Sequence, residues 1–291
     1  MISIIITAYK EPRTIQKAII SIAEQNIKDN EIILVAPDKE TLNEAHKLKS
    51  KYDNLKIFQD QGLGKSSAMN LAVSKAKGKI LIFTDGDVYV GKKSLERMVE
   101  KIKNPKIGAV SGKPISLNKK NNKFGFWAHT LTSVADLRRK RAIKTGKRMF
   151  CSGYLFAIRK ALFPKLPEEL LSEDGYISHK VYQQGFKIDY SQESEVYINY
   201  PNNFSDWINQ KRRSAGGYNQ NYKILNAKIR SFSSESKGGA DFLKYISNFK
   251  ELSWLLQLFI ARVYLWVLIY RDINFRKKSR EELWIRVEST K

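Results

Sequence analysis

Residues 80–87, ILIFTDGD, decide the fold, because four apolar residues and a threonine lead directly into two aspartates separated by one glycine. The run from Ile80 to Thr84 has the length and composition of a buried strand. Asp85 and Asp87 lie close enough in sequence to bind one cation together, and Mg²⁺ and Mn²⁺ prefer such oxygen ligands alongside substrate phosphates. The stretch therefore predicts a strand that ends in a metal-binding turn, and a plain polar turn is the alternative.

Upstream of this stretch, apolar runs alternate with segments of helical spacing. Strands are expected over residues 2–7, 31–36 and 55–58, and helices over residues 13–25, 39–51 and 66–77. Strands that alternate with helices of about ten or more residues indicate an α/β fold with a Rossmann-like, doubly wound and mostly parallel sheet. Ligands of such sheets bind beyond the carboxyl ends of the strands, where residues 9–11, 37–38 and 85–87 are expected to lie.

The rest of the chain is less regular. Residues 150–158 predict a further strand and residues 173–185 a further helix, whereas SFSSESKGG has the composition of a linker. The organisation that we predict is a larger unit at residues 1–230, with halves at about 1–110 and 111–230, a linker at 231–239, and a hydrophobic and basic helical region at 240–291.

The chain carries 52 lysines and arginines against 29 acidic residues, a formal net charge of +23. Such an excess indicates a negatively charged partner: nucleic acid, an anionic membrane surface or phosphate-bearing substrates. A dense basic stretch at residues 137–148 either faces lipid headgroups or a lipid-linked diphosphate, or forms a solvated face. Tyr218 and Tyr222 lie near basic residues, but no nucleic-acid-binding motif is present, so nucleic-acid binding is the remote alternative. The single Cys151 excludes an internal disulfide framework and suits a reducing cytosol.

Residues 62–70, GLGKSSAMN, place Gly-Lys-Ser at the start of a predicted helix. A phosphate-binding P-loop needs another glycine five residues before Gly64, where this chain has Gln59, and it usually follows the first strand. We therefore reject a P-loop. Lys65 at the start of a helix can still contact phosphates.

Two further groups of polar residues each allow two interpretations. Ser172-Glu173-Asp174 fits a helix start, in which the serine caps the helix and the acidic residues favour its dipole, but its carboxylates also suit proton transfer. Gln210-Lys211-Arg212-Arg213 fits a solvated basic helix face, or a site at which the planar donors of arginine hold a pyrophosphate.

In chain order these pieces are A-Y-x-E at Ala8, G-K-x-x-A-x-N at Gly64, D-x-D at Asp85, E-D at Glu173 and Q-x-x-R at Gln210. Over about residues 2–218, this order and spacing resemble the inverting family 2 glycosyltransferases, which have the GT-A fold. The resemblance implies a hexosyltransferase-like enzyme that depends on Mg²⁺ or Mn²⁺ and takes its sugar from a nucleotide-diphosphate donor. The unit at residues 1–230 is then the catalytic domain, with a nucleotide-sugar half followed by an acceptor half.

The resemblance also implies roles for single residues. Asp174 is implied as the catalytic base. The implied donor side consists of Ala8, Tyr9, Glu11, Lys65, Asn70, Asp85, Asp87 and Arg213, with Asp85 and Asp87 as the metal ligands. The implied acceptor side consists of Gly153, Glu173 and Gln210.

The chain departs from the family pattern at two places. Family members usually carry an acidic pair after the second strand, but Ala36 and Pro37 stand there and leave only Asp38 as a donor-binding residue. UDP is therefore not implied as the donor. The family's Q-x-x-R-W ends here in Ser214, so an aromatic acceptor platform is not implied either.

The proposed base distinguishes two classes of acceptor. A hydroxyl group has to lose a proton, whereas a lipid phosphate is already an anion. With Asp174 as the base, we expect the acceptor to be a hydroxyl of a glycan or of a lipid-linked saccharide. A polyprenyl-phosphate acceptor is the alternative.

Residues 252–270 are apolar apart from Gln257 and Arg262, and their length is close to the roughly 20 residues that span a bilayer. A single crossing would put Arg262 at mid-membrane and carry the basic tail out of the cytosol, against the positive-inside rule. We therefore expect a peripheral or monotopic helix on the cytoplasmic face of a membrane, against its anionic surface. A spanning helix, or one buried in the protein or in a homo-oligomer, is the alternative.

Overall fold

The structure is a computed structural model that describes residues 1–25, 27–168, 170–225, 240–274 and 286–290. The linker predicted at residues 231–239 lies outside these ranges, and so do the side chains of Tyr218 and Tyr222. The strands are β1 (Ile2–Thr7), β2 (Asn30–Ala36), β3 (Leu55–Gln59), β4 (Ile80–Asp85), β5 (Val88–Val90), β6 (Ile107–Ser116), β7 (Leu155–Arg159) and β8 (Lys187–Ile198). The helices are α1 (Ile15–Ala23), α2 (Lys39–His46), α3 (Lys65–Lys75), α4 (Ser94–Ile102), α5 (Lys123–Lys144), α6 (Glu173–Gln183), α7 (Phe204–Leu225), α8 (Ala240–Leu243) and α9 (Phe249–Asn274).

Within the described residues, the strands form one eight-stranded sheet in the order β3-β2-β1-β4-β7-β6-β8-β5. β1 is parallel to β2 and β4, and β2 is parallel to β3, so the four strands predicted from the first part of the chain form its parallel part. β7 lies antiparallel between β4 and β6, β8 is parallel to β6, and β5 is antiparallel to β8. The predicted α/β class is confirmed, and the second half of the sheet mixes both directions.

Both faces of the sheet are covered, because successive residues of β1 point to opposite sides. Ile4 and Ile6 pack with Ile15 of α1 in one apolar cluster, whereas Ile5 packs with Met69 of α3 in another. A strand that is buried on both faces has no reason to alternate apolar and polar residues. This explains the nearly continuous apolar run of β1. Because helices cover both faces of the sheet, a ligand can approach at the edge formed by the carboxyl ends of the parallel strands.

The strand predicted at residues 150–158 is shorter than expected and begins only at Leu155. Upstream of it, the amide of Cys151 donates to Ser178 Oγ at 2.9 Å instead of to a neighbouring strand. The residues between Cys151 and Leu155 form a turn that contains Gly153. Tertiary hydrogen bonds therefore divide an apolar run that the sequence pattern treats as one strand.

The C-terminal helix predicted at residues 252–270 is present as α9, and it packs against α5 and α7 in a third apolar cluster. Trp127 Nε1 of α5 donates to the carbonyl oxygen of Trp254 at 2.7 Å. Arg212 of α7 and Asp272 of α9 form a buried ion pair. One side of α9 is therefore held firmly against the rest of the protein.

The opposite side of α9 carries apolar side chains that are open to solvent. This exposed stripe, with members three or four residues apart, consists of Leu252, Leu256, Ile260, Val263, Val267 and Tyr270. Over Phe249–Asp272, α9 is long and apolar enough to cross a membrane, judged by length and composition alone, and 33% of its most apolar window is buried in the protein. The helix thus combines a packed side with an apolar side that is largely exposed.

Candidate active site

A cavity of about 1100 Å³ opens beyond the carboxyl ends of β1 and β4. Its lining includes most of the site residues proposed from the sequence: Ala8, Tyr9, Glu11, Lys65, Asp85, Asp87, Gly153, Glu173, Asp174, Gln210 and Arg213. Residues from distant parts of the chain therefore meet at the edge where ligands of parallel sheets bind. Asp38 and Asn70 are not part of this lining.

The turn after β4 is shaped by its neighbour β1. Thr7 lies beside Asp85 in the parallel pair, and its hydroxyl donates to Asp85 Oδ1 at 3.1 Å. The amide of Gly86 donates to the Thr7 carbonyl oxygen at 3.0 Å, and a Cβ at Gly86 would lie only 2.7 Å from the Cβ of Ala8. The residue between the two aspartates has to be glycine, because any side chain would push the loop after β1 away.

Lys65 begins α3 and places its ammonium group 2.5 Å from Asp85 Oδ1. Burial alone would lower the pKa of Lys65, but the carboxylates of Asp85 and Glu173 outweigh burial and raise that pKa. Burial raises the pKa of Glu173, although the charge of Lys65 opposes it, and Ser66 Oγ donates to Glu173 Oε1 at 3.3 Å. Lys65 therefore stays charged and supplies a cation where phosphates are expected.

The aspartate pair suits a divalent cation that is shared with a substrate. The described residues contain no group of three or more histidine, cysteine, aspartate or glutamate side chains that could hold a metal ion by themselves. Mg²⁺ is usually bound through one or two carboxylates together with substrate phosphates, and waters complete its shell. Asp85 and Asp87 fit this arrangement, and they are the residues that would hold the ion.

Asp174 lies in the first turn of α6 with one carboxylate oxygen fixed in place. Its Oδ1 accepts hydrogen bonds from Ser172 Oγ at 2.8 Å and from the Gly175 amide at 2.9 Å. Ser172 makes no side-chain cap to the helix backbone, and its hydroxyl bonds the Asp174 carboxylate instead. Oδ2 faces Gly153, where an added Cβ would lie 3.5 Å away. The missing side chain at Gly153 leaves space directly in front of this oxygen.

Gln210 and Arg213 are the contributions of α7 that the sequence indicated. Gln210 is 8% exposed, and its Oε1 is buried without a hydrogen-bond partner among the described residues. A buried amide oxygen in this condition costs free energy unless a donor reaches it. A hydroxyl group of a bound acceptor can supply that donor. Arg213 lies close enough to Glu173 that its charge opposes the effect of burial on the pKa of Glu173.

Asp38 and Asn70 hold the backbone beside the cavity. Asp38 caps α2 by accepting from the Thr41 amide at 3.0 Å, and it also accepts from the Lys10 amide at 2.7 Å. Burial alone would raise the pKa of Asp38, but these hydrogen bonds outweigh it and lower that pKa. The amide group of Asn70 bonds both the backbone nitrogen and the carbonyl oxygen of Leu166, at 3.0 and 2.8 Å. Direct contact of either residue with a donor stays a prediction.

Several residues that line the cavity were not among the proposed site residues: Tyr154, Tyr200, Arg138, Arg139, Arg262, Trp266, Arg286 and Val287. Burial raises the pKa of Tyr200 to about 12, so its hydroxyl stays neutral. Arg138 and Arg139 belong to the basic stretch, whose composition did not indicate which side chains face inward. Arg286 donates to the Lys10 carbonyl oxygen at 2.5 Å from the far end of the chain, and no local pattern could have indicated that contact.

Comparison with known sequences gives consistent matches. The family model described as glycosyl transferase family 2 matches residues 3–166, more than half of the chain. The poly-beta-1,6-N-acetyl-D-glucosamine synthase of Staphylococcus aureus (strain COL) is 23% identical over 271 residues, which cover 91% of this chain and 64% of that protein. The synthase of the same name from Staphylococcus epidermidis is 23% identical over 275 residues, covering 92% and 65%. The chain thus spans just under two thirds of the length of these relatives.

Solved structures share the fold. The mannosyltransferase PcManGT from Pyrobaculum calidifontis, in complex with GDP-Man and Mn²⁺, superposes with a TM-score of 0.70 at 15% identity, over 95% of this chain and 88% of that one. Residues 1–349 of TarS from S. aureus, in complex with UDP-GlcNAc, give a TM-score of 0.52 at 21% identity, over 84% and 72%. These likenesses confirm the GT-A type of sheet and helices that the sequence predicted.

Proposed function

The chain belongs to glycosyl transferase family 2, and on that premise we propose that it is an inverting glycosyltransferase that uses a nucleotide-diphosphate sugar. The proposed acceptor is a hydroxyl group of a glycan or of a lipid-linked saccharide. One observation carries the proposal: a single cavity is lined both by the aspartate pair after β4 and by Asp174, whose Oδ2 faces the open space at Gly153.

In the proposed reaction, Asp174 takes the proton of the acceptor hydroxyl at Oδ2, while Ser172 holds Oδ1 in place. The acceptor oxygen attacks the anomeric carbon of the donor sugar from the side opposite the diphosphate, so that the configuration inverts. The nucleoside diphosphate leaves with the electron pair of the broken bond, and Lys65 and Arg213 stabilise its growing negative charge. A positioned base of this kind typically accelerates a reaction by about 10²–10⁴-fold.

The proposed cofactor is Mg²⁺ or Mn²⁺, with Asp85 and Asp87 as its protein ligands. When bound, such an ion neutralises charge on the departing diphosphate. The Mn²⁺ that accompanies GDP-Man in the PcManGT structure supports a divalent metal without indicating which one this chain uses.

Thermal-shift measurements with a panel of nucleotide sugars test the proposal, because a ligand of the native state raises the melting temperature by mass action. The structural relatives carry GDP-Man and UDP-GlcNAc, so both belong in the panel with Mn²⁺ and Mg²⁺. The donor that stabilises the protein should then be turned over, and NMR of the product should show an inverted anomeric centre. A retained configuration contradicts inversion, and a failure to use any nucleotide sugar contradicts the proposed activity.

A polyprenyl-phosphate acceptor is the second candidate, and the cations and the exposed apolar stripe beside the cavity favour it. In that reaction the attacking oxygen is already negatively charged, so Asp174 would not be needed as a base.

Nucleic-acid binding is the remote alternative function. Measuring the binding of single-stranded and duplex DNA across a salt series tests it, since binding by phosphate contacts weakens steeply with salt.

We place the protein at the cytoplasmic face of a membrane as a peripheral or monotopic protein. The exposed stripe of α9 is the supporting observation, because an apolar helix face gains free energy when it is buried at the headgroup boundary. The basic residues after α9 suit an anionic leaflet. A homo-oligomer that buries the stripe is the alternative.

A further inference from the structure

Asp85, the first of the two proposed metal ligands, is already paired with a cation of the protein. Its Oδ1 lies 2.5 Å from the ammonium group of Lys65 and accepts a hydrogen bond from Thr7 Oγ1 at 3.1 Å. Each oxygen of a carboxylate offers about two lone-pair sites. Both sites of Oδ1 are therefore filled, by neighbours on α3 and β1.

A divalent cation and the ammonium group of Lys65 compete for the same carboxylate. An ion that took the place of the ammonium group would break a close ion pair, and an ion bound through Oδ2 would lie across one carboxylate from a positive charge. The side chains of Lys65 and Asp85 are only 30% and 22% exposed, and like charges repel more strongly where water is partly excluded. The pair therefore opposes binding of the metal ion by itself.

Other carboxylates near Lys65 give its ammonium group attraction beyond Asp85. Glu173 acts on the charge of Lys65 next most strongly after Asp85, and Asp174 acts on it more weakly. The remaining acids of the cavity, which are not among the charges that act most strongly on Lys65, are Glu11, Asp60 and Glu168. An ammonium group that leaves Asp85 therefore stays in an anionic environment at the same end of α3.

A nucleoside diphosphate changes this balance, because its phosphate oxygens offer the ammonium group of Lys65 a second strongly charged partner. The same phosphates attract the metal ion, which commonly bridges one or two carboxylates to a substrate phosphate. Binding of the nucleotide thus removes the competitor and adds ligands for the metal ion. By linkage, the metal ion increases the affinity for the nucleotide by the same factor.

We propose that Lys65 is a resident counter-ion that keeps a divalent metal ion from Asp85 until a nucleoside diphosphate binds. When the diphosphate binds, the ammonium group moves from Asp85 to the phosphate oxygens, and the carboxylate becomes available to the metal ion. Metal and donor therefore bind as a coupled pair, and the protein without nucleotide binds Mg²⁺ or Mn²⁺ weakly. This inference rests on the proposed function, because it describes how the donor side of the same cavity is filled.

Binding of Mn²⁺ to the wild type tests the coupling directly. The EPR signal of free Mn²⁺ measures binding without nucleotide and with GDP or UDP, after subtraction of the Mn²⁺ that each free nucleotide binds in a titration without protein. The wild type should bind Mn²⁺ at least about tenfold more tightly with one of these nucleotides than without, a gap of about 1.4 kcal/mol. Equal affinity with and without nucleotide overturns the proposal.

A variant without the ammonium group tests the competition. Lys65→Gln should bind Mn²⁺ in the absence of nucleotide at least about tenfold more tightly than the wild type does, because the competing charge is gone. Damage to the fold would weaken binding, so it cannot produce this gain. Adding Asp85→Asn to the variant should abolish the gain, which assigns it to that carboxylate.

Lys101→Gln is the matched control, because Lys101 also pairs with an aspartate, Asp189 at 2.9 Å, but lies outside the cavity lining. An equal gain in this control would mean that net charge alone governs the binding of Mn²⁺, and the proposal would be wrong. It would also be wrong if Lys65→Gln melted normally and bound Mn²⁺ no better than the wild type. If Lys65→Gln does not fold, the comparison of the wild type with and without nucleotide decides.

Use of the donor separates this inference from the proposed function. If nucleotide sugars are turned over but Mn²⁺ binds equally well with and without nucleotide, Lys65 does not exclude the metal ion and the transferase activity stands. If binding of Mn²⁺ and nucleotide is coupled through Lys65 and Asp85 but no nucleotide sugar is turned over, the coupling stands and the proposed transfer fails.

Discussion

At the scale of single residues, the aspartate pair after β4 depends on neighbours that its own motif does not specify. Asp85 accepts a hydrogen bond from Thr7 and pairs with Lys65, and both partners come from other elements of the sheet and its helices. The spacing of the two carboxylates predicted a metal site. The ion pair between Asp85 and the ammonium group of Lys65 could be recognised only from the fold.

Asp87→Asn should weaken binding of a nucleoside diphosphate in the presence of Mn²⁺ by about tenfold or more, because one of two carboxylate ligands loses its charge. Calorimetry measures the effect, and a chelator should reduce the affinity of the wild type to a similar degree. Asp189→Asn is the control, since Asp189 pairs with Lys101 away from the cavity. Equal wild-type affinity with and without metal would exclude this role for the pair.

Asp174→Asn should lower kcat by about 10²-fold or more and leave donor binding nearly unchanged, because a base acts on the transition state rather than on the bound donor. Steady-state kinetics and calorimetry of the donor together measure the two effects. Gln183→Ala on the same helix is the control, since Gln183 is exposed at the end of α6 and does not line the cavity. A nearly normal rate in Asp174→Asn would favour the polyprenyl-phosphate acceptor instead.

Gly153→Ala should lower kcat/KM for the acceptor and leave the affinity for the donor unchanged. The added Cβ would lie 3.5 Å from Asp174 Oδ2, an ordinary contact distance, so the fold should survive while the space in front of the base is filled. Acceptor-dependent kinetics and a thermal melt measure the two effects. If activity falls only together with the melting temperature, the glycine serves packing and not acceptor access.

At the scale of elements, what the sequence could predict depended on burial. β1, β2 and β4 are nearly continuous apolar runs because both of their faces are covered, and such runs stand out in any sequence. β8 mixes buried and exposed residues, and its pairing with β6 contains two shifts of register. No simple period survives such irregularity, so β6 and β8 were not predicted.

The residues of the candidate site also differ in whether the sequence could predict them. The carboxylates and Lys65 follow strand ends or helix starts, where a short motif carries enough information to indicate them. Arg138 and Arg139 are neighbours in a basic stretch of α5, and only packing against α7 and α9 shows that they line a cavity. Arg286 reaches the loop after β1 across almost the whole length of the chain. Contacts of that range leave no trace in local sequence.

Asp38 links α2 to the loop after β1, and Asp38→Ala should lower the free energy of unfolding by about 1 kcal/mol at neutral pH, the usual cost of a lost N-cap. The native pKa of Asp38 is lowered from its ordinary value of 3.8. Its contribution is therefore complete above the unfolded pKa and is lost as the pH falls through the lower native pKa. Urea denaturation at neutral and at acid pH should show a difference between wild type and variant that shrinks in acid.

Glu40→Ala provides the comparison for that experiment, because Glu40 is an exposed acid in the first turn of the same helix. It should cost about 0.3–1 kcal/mol at most, as expected for an exposed charge near a helix start. A cost for Asp38→Ala that is the same at every pH would mean that the charge of Asp38 does not stabilise this junction.

At the scale of the whole molecule, the C-terminal region is part of the cavity as well as a candidate membrane contact. Arg262 and Trp266 of α9 line the cavity, and Arg286 bonds the loop after β1. Removing the whole region would therefore change the site and the surface at once. Substitutions confined to the exposed stripe separate the two effects, because these side chains point away from the packed side of α9.

The double variant Ile260→Asn/Val267→Asn should lose most of the wild-type sedimentation with anionic liposomes while it keeps its affinity for a nucleoside diphosphate. The two side chains are 69% and 60% exposed, and burying a large apolar side chain contributes roughly 1.5–3 kcal/mol. High salt should release the wild type only in part, since salt screens the attraction of basic residues to lipid headgroups but not the apolar contribution.

Ile224→Asn controls for a general loss of apolar surface, because Ile224 is 47% exposed on α7 and lies outside the exposed stripe. This variant should sediment with liposomes as the wild type does. Sedimentation velocity without lipid then decides what covers the stripe. A wild type that ignores liposomes and forms a dimer, which the double variant dissociates, would make the stripe a subunit interface and not a membrane contact. A monomer that binds anionic liposomes through Ile260 and Val267 supports the membrane assignment, and it brings the cavity to the surface where a lipid-linked acceptor is found.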